Sequence, residues 1–242
     1  MLSACRRILV TAIAASFKHP RSPLRMLLFI LGGLLFAGIP DARAAFVTMN
    51  EAGLDGVYSQ PSFNGNGIDI RFLPTVTFSN GDLLNITTEA GIDALFAFND
   101  GPASNIISMY FVDTLDFCSS FNASIVGCST LGGNDIAVES VFAASGSGTE
   151  LLAHEIGHSL NLDHVTGNNL MAAAINGFTT LTEAQVAIIF GNPLNPIIQT
   201  DAFGRFVEIR PVLVTPLPPA GIMFVSAIVV LAGAYRRKKS RA

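Results

Sequence analysis

Apolar and polar positions alternate along Gly67-Ile-Asp-Ile-Arg-Phe-Leu73 and again along Val76-Thr-Phe78. A period of two marks a half-buried strand, so both stretches are expected as strands, with Asn80-Gly81 turning the chain after the second. Thr88–Phe98 is ambiguous; a helix is one option, and Gly91 weakens it. Asn99-Asp100-Gly101-Pro102 reads as a turn. Ile106–Phe117 is β-rich and is expected as one buried strand. After a second turn at Gly132-Gly133-Asn134-Asp135, Ile136–Ala143 is expected as another strand.

The period then changes. Ser147-x-x-Glu150 has the form of a capping box, in which hydroxyl and carboxylate satisfy amides at the start of a helix. Leu151, Leu152, Ile156 and Leu160 are spaced to turn toward a core. Thr180-x-x-Glu183 repeats the signal ahead of a second helix over Gln185–Phe190, which Gly191-Asn192-Pro193 ends. Arg205–Val214 is expected as a last strand or extended segment. Together these elements make a mixed α/β (α+β) domain over residues 45–213.

Both ends differ from this domain. Residues 1–44 read as a leader: Arg21 and Arg25 precede the apolar run 26–39, Pro40 breaks it, and Ala42-Arg43-Ala44 offers small residues for cleavage before Ala45. An uncleaved N-terminal anchor is the competing reading. At the other end, Thr215-Pro-Leu-Pro-Pro219 precedes an apolar stretch over 220–235 and the basic run 236–241. At ~1.5 Å per residue the stretch reaches a bilayer core with help from its flanks, and the basic tail orients the domain outward. The expected division is therefore leader 1–44, domain 45–213, and a C-terminal transmembrane helix with basic tail over 214–242.

Charge sharpens the division. Residues 45–213 hold 3 basic and 17 acidic side chains, a net −14, against −4 for the whole chain. Such a surface disfavours nucleic acid and anionic membranes as partners of the domain. It is compatible with basic substrates or bound calcium, although no specific calcium motif is present. Cys118 and Cys128, an even pair in an exported segment, are candidates for one disulfide closing a short loop, with two free buried thiols as the alternative.

Histidine usage is the most selective feature. Of four histidines, His19 falls in the leader, and the rest are His154, His158 and His164. His154 and His158, four apart on a helix, share one face and can pinch a metal ion; His164 can swing back as a third ligand. Glu155 stands where its carboxylate can hold and deprotonate a water on that ion. Three neutral imidazoles suit catalytic zinc, with Glu155 as general base and no protein nucleophile needed.

His154-Glu-Ile-Gly-His-Ser-Leu-Asn-Leu-Asp-His164 resembles the zinc motif of the metzincin metallopeptidases, in particular the matrixin-like and serralysin-like branches. That family has Gly where Asn161 stands; Gly lets the chain turn so that the third histidine reaches the metal, and Asn tolerates the same backbone region. Asn169-Leu-Met171 is similar to the family's Met-turn, a methionine beneath the metal, although a tyrosine found beyond it in some members is replaced by Ala172–Ala174. The resemblance implies a twisted mixed sheet backing the active-site helix, and hydrolysis of peptide bonds. The C-terminal Pro-Leu-Pro-Pro-Ala, apolar span and basic cluster resemble a PEP-CTERM bacterial sorting signal of the VPLPA-like type, with Thr215 in place of Val. That resemblance implies a membrane sorting enzyme as partner, contact with the inner membrane through 220–235, and a final place at the cell surface or in the extracellular matrix. The expected function is thus an exported zinc metalloendopeptidase. The alternative is a catalytically idle, zinc-stabilised matrix or adhesion domain.

Overall fold

The longest strand in the structure is the last one, and the sheet is built around it. The structure, a computed structural model, describes residues 49–98, 105–191 and 195–215. The expected leader, the turn at Asn99–Pro102, the Asn192-Pro193 helix stop, the expected disposition of residues 216–242 and the first four residues of the expected domain lie outside them.

In chain order the elements are α1 (Glu51–Tyr58), β1 (Ile68–Phe72), β2 (Val76–Ser79), β3 (Asn85–Ile86), α2 (Glu89–Phe96), β4 (Ile106–Val112), β5 (Thr114–Leu115), β6 (Gly127–Ser129), β7 (Asp135–Glu139), α3 (Ser140–Ala143), α4 (Gly148–Ser159), α5 (Glu183–Gly191), β8 (Gln199–Asp201) and β9 (Gly204–Thr215). The main sheet is mixed, in the order β1-β9-β4-β7-β6; β2 and β8 also pair with β9, and β3 and β5 form a separate parallel pair. β1, β2 and β4 run parallel to β9, and β7 parallel to β4. β6 closes one edge antiparallel to β7.

β9 is long enough for two strands to share each of its edges. β1 pairs with Arg205–Ile209 and β2 with Val212–Thr215, leaving a break opposite Pro211. A proline has no N–H for a ladder, and this position asks for none, which reconciles it with a central strand. Pairing through Val214 and Thr215 carries the strand two residues past the expected boundary at 213.

Alternation along the strands feeds two cores. Ile107, Met109, Phe111, Ile136, Val138, Val207 and Ile209 face a cluster completed by α1, α4 and α5. Tyr110, Val112, Ala137, Val212 and Val214 face a second cluster with Ile92 and Leu95 of α2. A mostly parallel sheet covered on both faces reads as near-continuous apolar runs, which is why β4 shows no alternation in sequence. Leu151, Leu152, Ile156 and Leu160 are all buried, and the Tyr58 hydroxyl donates to the Ala153 carbonyl at 2.7 Å, fixing α1 to α4.

Four local expectations change. The run Ile106–Phe117 is two strands, because Asp113 and Thr114 leave the main sheet and donate their N–H groups to the Leu84 carbonyl. Ile136–Ala143 is a strand only to Glu139; Ser140, its hydroxyl donating to Val112 O at 2.8 Å, begins the short helix α3. The Ser147–Glu150 capping box does not form. The chain enters α4 from a tight turn with Ser147 at ψ 3° rather than extended, and Glu150 instead accepts the N–H groups of Asn176 and Gly177. The cap of α5 is displaced from Thr180–Glu183 to Thr182–Gln185: the Thr182 hydroxyl accepts the Gln185 N–H and Gln185 Oε1 accepts the Thr182 N–H. Thr88–Phe98 resolves as helix α2, its Thr88 Oγ1 accepting the Gly91 N–H. Among the described residues, no helix is long and apolar enough to cross a membrane.

Candidate metal centre

The sequence Leu160-Asn-Leu162 ends α4 by a left-handed turn. Asn161 has φ 71°, its N–H bonds to His158 O at 2.8 Å, and the Leu162 N–H bonds to Gly157 O at 2.9 Å. This is the Schellman pattern, in which the left-handed residue satisfies the last helix carbonyls and reverses the chain. Asn is the non-glycine residue that accepts this conformation at least cost. The reversal sends His164 back over the helix.

His154, His158 and His164 converge as the spacing implies. Their Nε2 atoms form a near-equilateral triangle: 3.0 Å between His154 and His158, 3.1 Å between His158 and His164, and 3.2 Å between His154 and His164. Among the described residues these three form the one group of His, Cys, Asp or Glu side chains close enough to hold a metal ion. His154 Nδ1 lies 2.8 Å from Leu170 O and His158 Nδ1 lies 2.7 Å from Leu162 O. Carbonyls only accept, so both Nδ1 atoms carry the proton and both Nε2 lone pairs point into the triangle. Carbonyl partners of this kind orient metal-ligating histidines. Three ligands of a tetrahedral ion at ~2.0–2.1 Å stand roughly 3.3 Å apart, so the triangle fits a divalent transition metal within a few tenths of an ångström.

Burial favours the neutral form of His154 and His158. Desolvation chiefly, with His154 beside it, pushes the His158 imidazole down to about 4, and desolvation lowers His154. Neutral imidazole is the form that binds metal.

Met171 is fully buried beneath the helix. A Cβ on Gly157 would lie 2.5 Å from the Met171 sulfur, so the glycine of the motif is what lets the methionine pack this close. Met171 also ties the loop to the third histidine, since its carbonyl accepts the Val165 N–H at 2.9 Å.

Glu155 reaches the edge strand β6. Its Oε2 accepts the Ser129 hydroxyl at 2.8 Å, and its Oε1 occupies the space where a side chain on Gly127 would stand. Only 4% exposed, the carboxyl is pushed up to about 7 by burial, which the Ser129 hydrogen bond opposes. A carboxyl near neutrality can both take and give a proton. Cys118 and Cys128 form a disulfide, and neither joins the histidine group.

Sequence reasoning had missed Ser129 and Gly127, which lie 26 and 28 residues before Glu155 without a motif of their own, and the carbonyls of Leu162 and Leu170, which carry no side-chain signature. Asn169 reads in sequence only as part of the Met-turn and Gln185 only as a helix start; their amide pair carries no local signal, although Thr182-x-x-Gln185 is itself readable as a capping box. Comparisons with protein-family models, with curated proteins and with solved structures find no match for this chain.

Proposed function

We propose that the chain is an exported zinc metalloendopeptidase. The observation that carries the reading is the convergence of three histidine Nε2 atoms, two of them on the helix that also carries the buried carboxyl of Glu155. His154, His158 and His164 would hold the ion. When bound, a zinc ion supplies Lewis acidity, polarising a carbonyl and lowering the pKa of water toward ~7.

The chain's own residues supply the rest. Leu170 and Leu162 keep the His154 and His158 rings in the tautomer that donates a lone pair. Glu155 accepts the proton of the attacking water and returns it to the leaving amine, a role suited to a carboxyl held near neutrality. Ser129 fixes the orientation of that carboxyl, and Met171 supports the helix from below.

Likeness to the metzincin fold and to a bacterial sorting signal belongs to the same proposal, supported by the 154–164 motif, the buried Met171 and the 215–241 sequence. On this reading a membrane sorting enzyme handles the C-terminus, and the domain works at the cell surface or in the extracellular matrix. The purified protein is expected to bind one zinc and to cleave an unfolded protein such as casein. Glu155→Ala should abolish cleavage with zinc still bound; full activity in that variant would overturn the mechanism.

A further inference from the structure

Gln185 touches none of the three histidines, yet it is tied to them through one loop. It is buried on α5, and its side-chain amide meets that of Asn169, also buried, in a two-way pair. Asn169 Nδ2 donates to Gln185 Oε1 and Gln185 Nε2 donates to Asn169 Oδ1, each at 2.9 Å. Each oxygen has further donors. Asn169 Oδ1 accepts the Met171 N–H at 2.8 Å, and Gln185 Oε1 accepts the Thr182 N–H at 2.9 Å and the Thr182 hydroxyl at 3.1 Å. Because a backbone N–H can only donate, both amide oxygens must face this way, which fixes the orientation of the pair.

The loop held by Asn169 reaches two ligands. Leu170 O receives the His154 Nδ1 proton, and Met171 O receives the N–H of Val165, the residue after His164. A bridge between Val165 and Ala172 reinforces the second link.

We infer that Gln185 is a positioning residue for the histidine centre. Through Asn169 it sets the Leu170 carbonyl, and with it the ring orientation and tautomer of His154. Its other task, capping α5, is separable. Gln185→Glu retains an acceptor for Thr182 and for Asn169 Nδ2, since Glu is itself a capping-box residue, but once ionised, as in titrations run above about pH 8, it cannot donate to Asn169 Oδ1. Thr182→Ala does the reverse, weakening the cap and leaving the amide pair whole.

The inference rests on the histidines being a metal centre, so two separate readouts are needed. Full-length wild type, Gln185→Glu and Thr182→Ala are titrated with Zn²⁺ alone against a chromophoric chelator. The histidine ring nitrogens are followed by ¹⁵N NMR in chelator-treated protein. Outer partners of metal-bound histidines are worth about 10–100-fold in affinity. Gln185→Glu should therefore weaken zinc binding about tenfold or more, and His154 should lose its single Nδ1–H tautomer. Thr182→Ala should melt earlier with zinc affinity and the His154 tautomer unchanged. Wild-type affinity and tautomer in Gln185→Glu, or equal losses in both variants, would overturn the role. Failure of the wild type to bind zinc would overturn the metal reading instead, and the His154 tautomer would still decide the role of Gln185.

Discussion

The Ser129 hydroxyl donates to Glu155 Oε2 at 2.8 Å, joining the sheet's edge strand to the middle of the histidine helix. β6 contributes twice within three residues, because Gly127 leaves the space that Glu155 Oε1 fills. The strand therefore works as a socket for the proposed general base.

Filling that socket should be costly to turnover and harmless to the metal. Gly127→Ala places a methyl group on the Glu155 carboxylate, and displacement of a catalytic group by an ångström can cost about 10²-fold in rate. We expect kcat to fall by roughly that factor with zinc content unchanged. Ser129→Ala, which removes one hydrogen bond without adding bulk, should cost roughly tenfold, in line with ~1.5 kcal/mol for a bond to a charged group. Steady-state kinetics with metal analysis read both, and wild-type kcat in Gly127→Ala would disprove the socket.

The disulfide bears on the same strand. Cys128 stands between Gly127 and Ser129 and is bonded to Cys118, ten residues earlier. Cross-linking a loop of this size restricts the unfolded chain by about 2–3 kcal/mol. Cys118→Ser with Cys128→Ser should lose about that much stability, and kcat should drop as β6 loosens around Glu155. Chemical denaturation and casein hydrolysis would measure the two effects, and equal stability of the double variant would refute the first.

At the end of α4 the test concerns the backbone. Asn161 is left-handed, so Asn161→Gly should retain or improve zinc affinity and stability. Asn161→Val should cost roughly 1–2 kcal/mol, the penalty for a side chain in this region, and weaken zinc binding as His164 moves. A valine variant matching wild type in melting temperature and affinity would show that the turn does not depend on residue type.

How much of this was legible in the sequence follows from where each partner lies. Histidines four and six residues apart meet because one helix and one turn connect them, and Asn161 announces the turn. Strands β1, β2 and β9 were readable from local composition. The central place of β9, the last strand, was not, since pairing order is settled by long-range packing. Glu150 shows the limit of local signals. Its capping motif is present, yet the buried carboxylate is taken by the Asn176 and Gly177 amides, a partner 26 residues away outcompeting one three residues away. Ser129 and Gln185 belong to the same class, residues made important by a fold that brings distant segments together.

The metal-free protein should respond to pH through opposing groups. Folded His158 stays neutral down to about 4, whereas in the unfolded chain it takes a proton near its ordinary 6.5; stability from this group falls as the solution is acidified through that window. His154, also lowered by burial, acts in the same direction. Glu155 acts against them. Its folded carboxyl holds a proton up to about 7, whereas the unfolded one releases it near 4.5, so its stabilising effect is present at acid pH and lost as pH rises. Between about 4.5 and 6.5 Glu155 offsets part of the histidine trend, which softens the loss of melting temperature toward acid in the chelated wild type. Glu155→Gln removes the opposing group while keeping its shape. Melting curves recorded with chelator from pH 4.5 to 7 should then show a markedly steeper loss toward acid in Glu155→Gln than in wild type. Parallel profiles would mean that Glu155 titrates at its unfolded value and is not held protonated by burial.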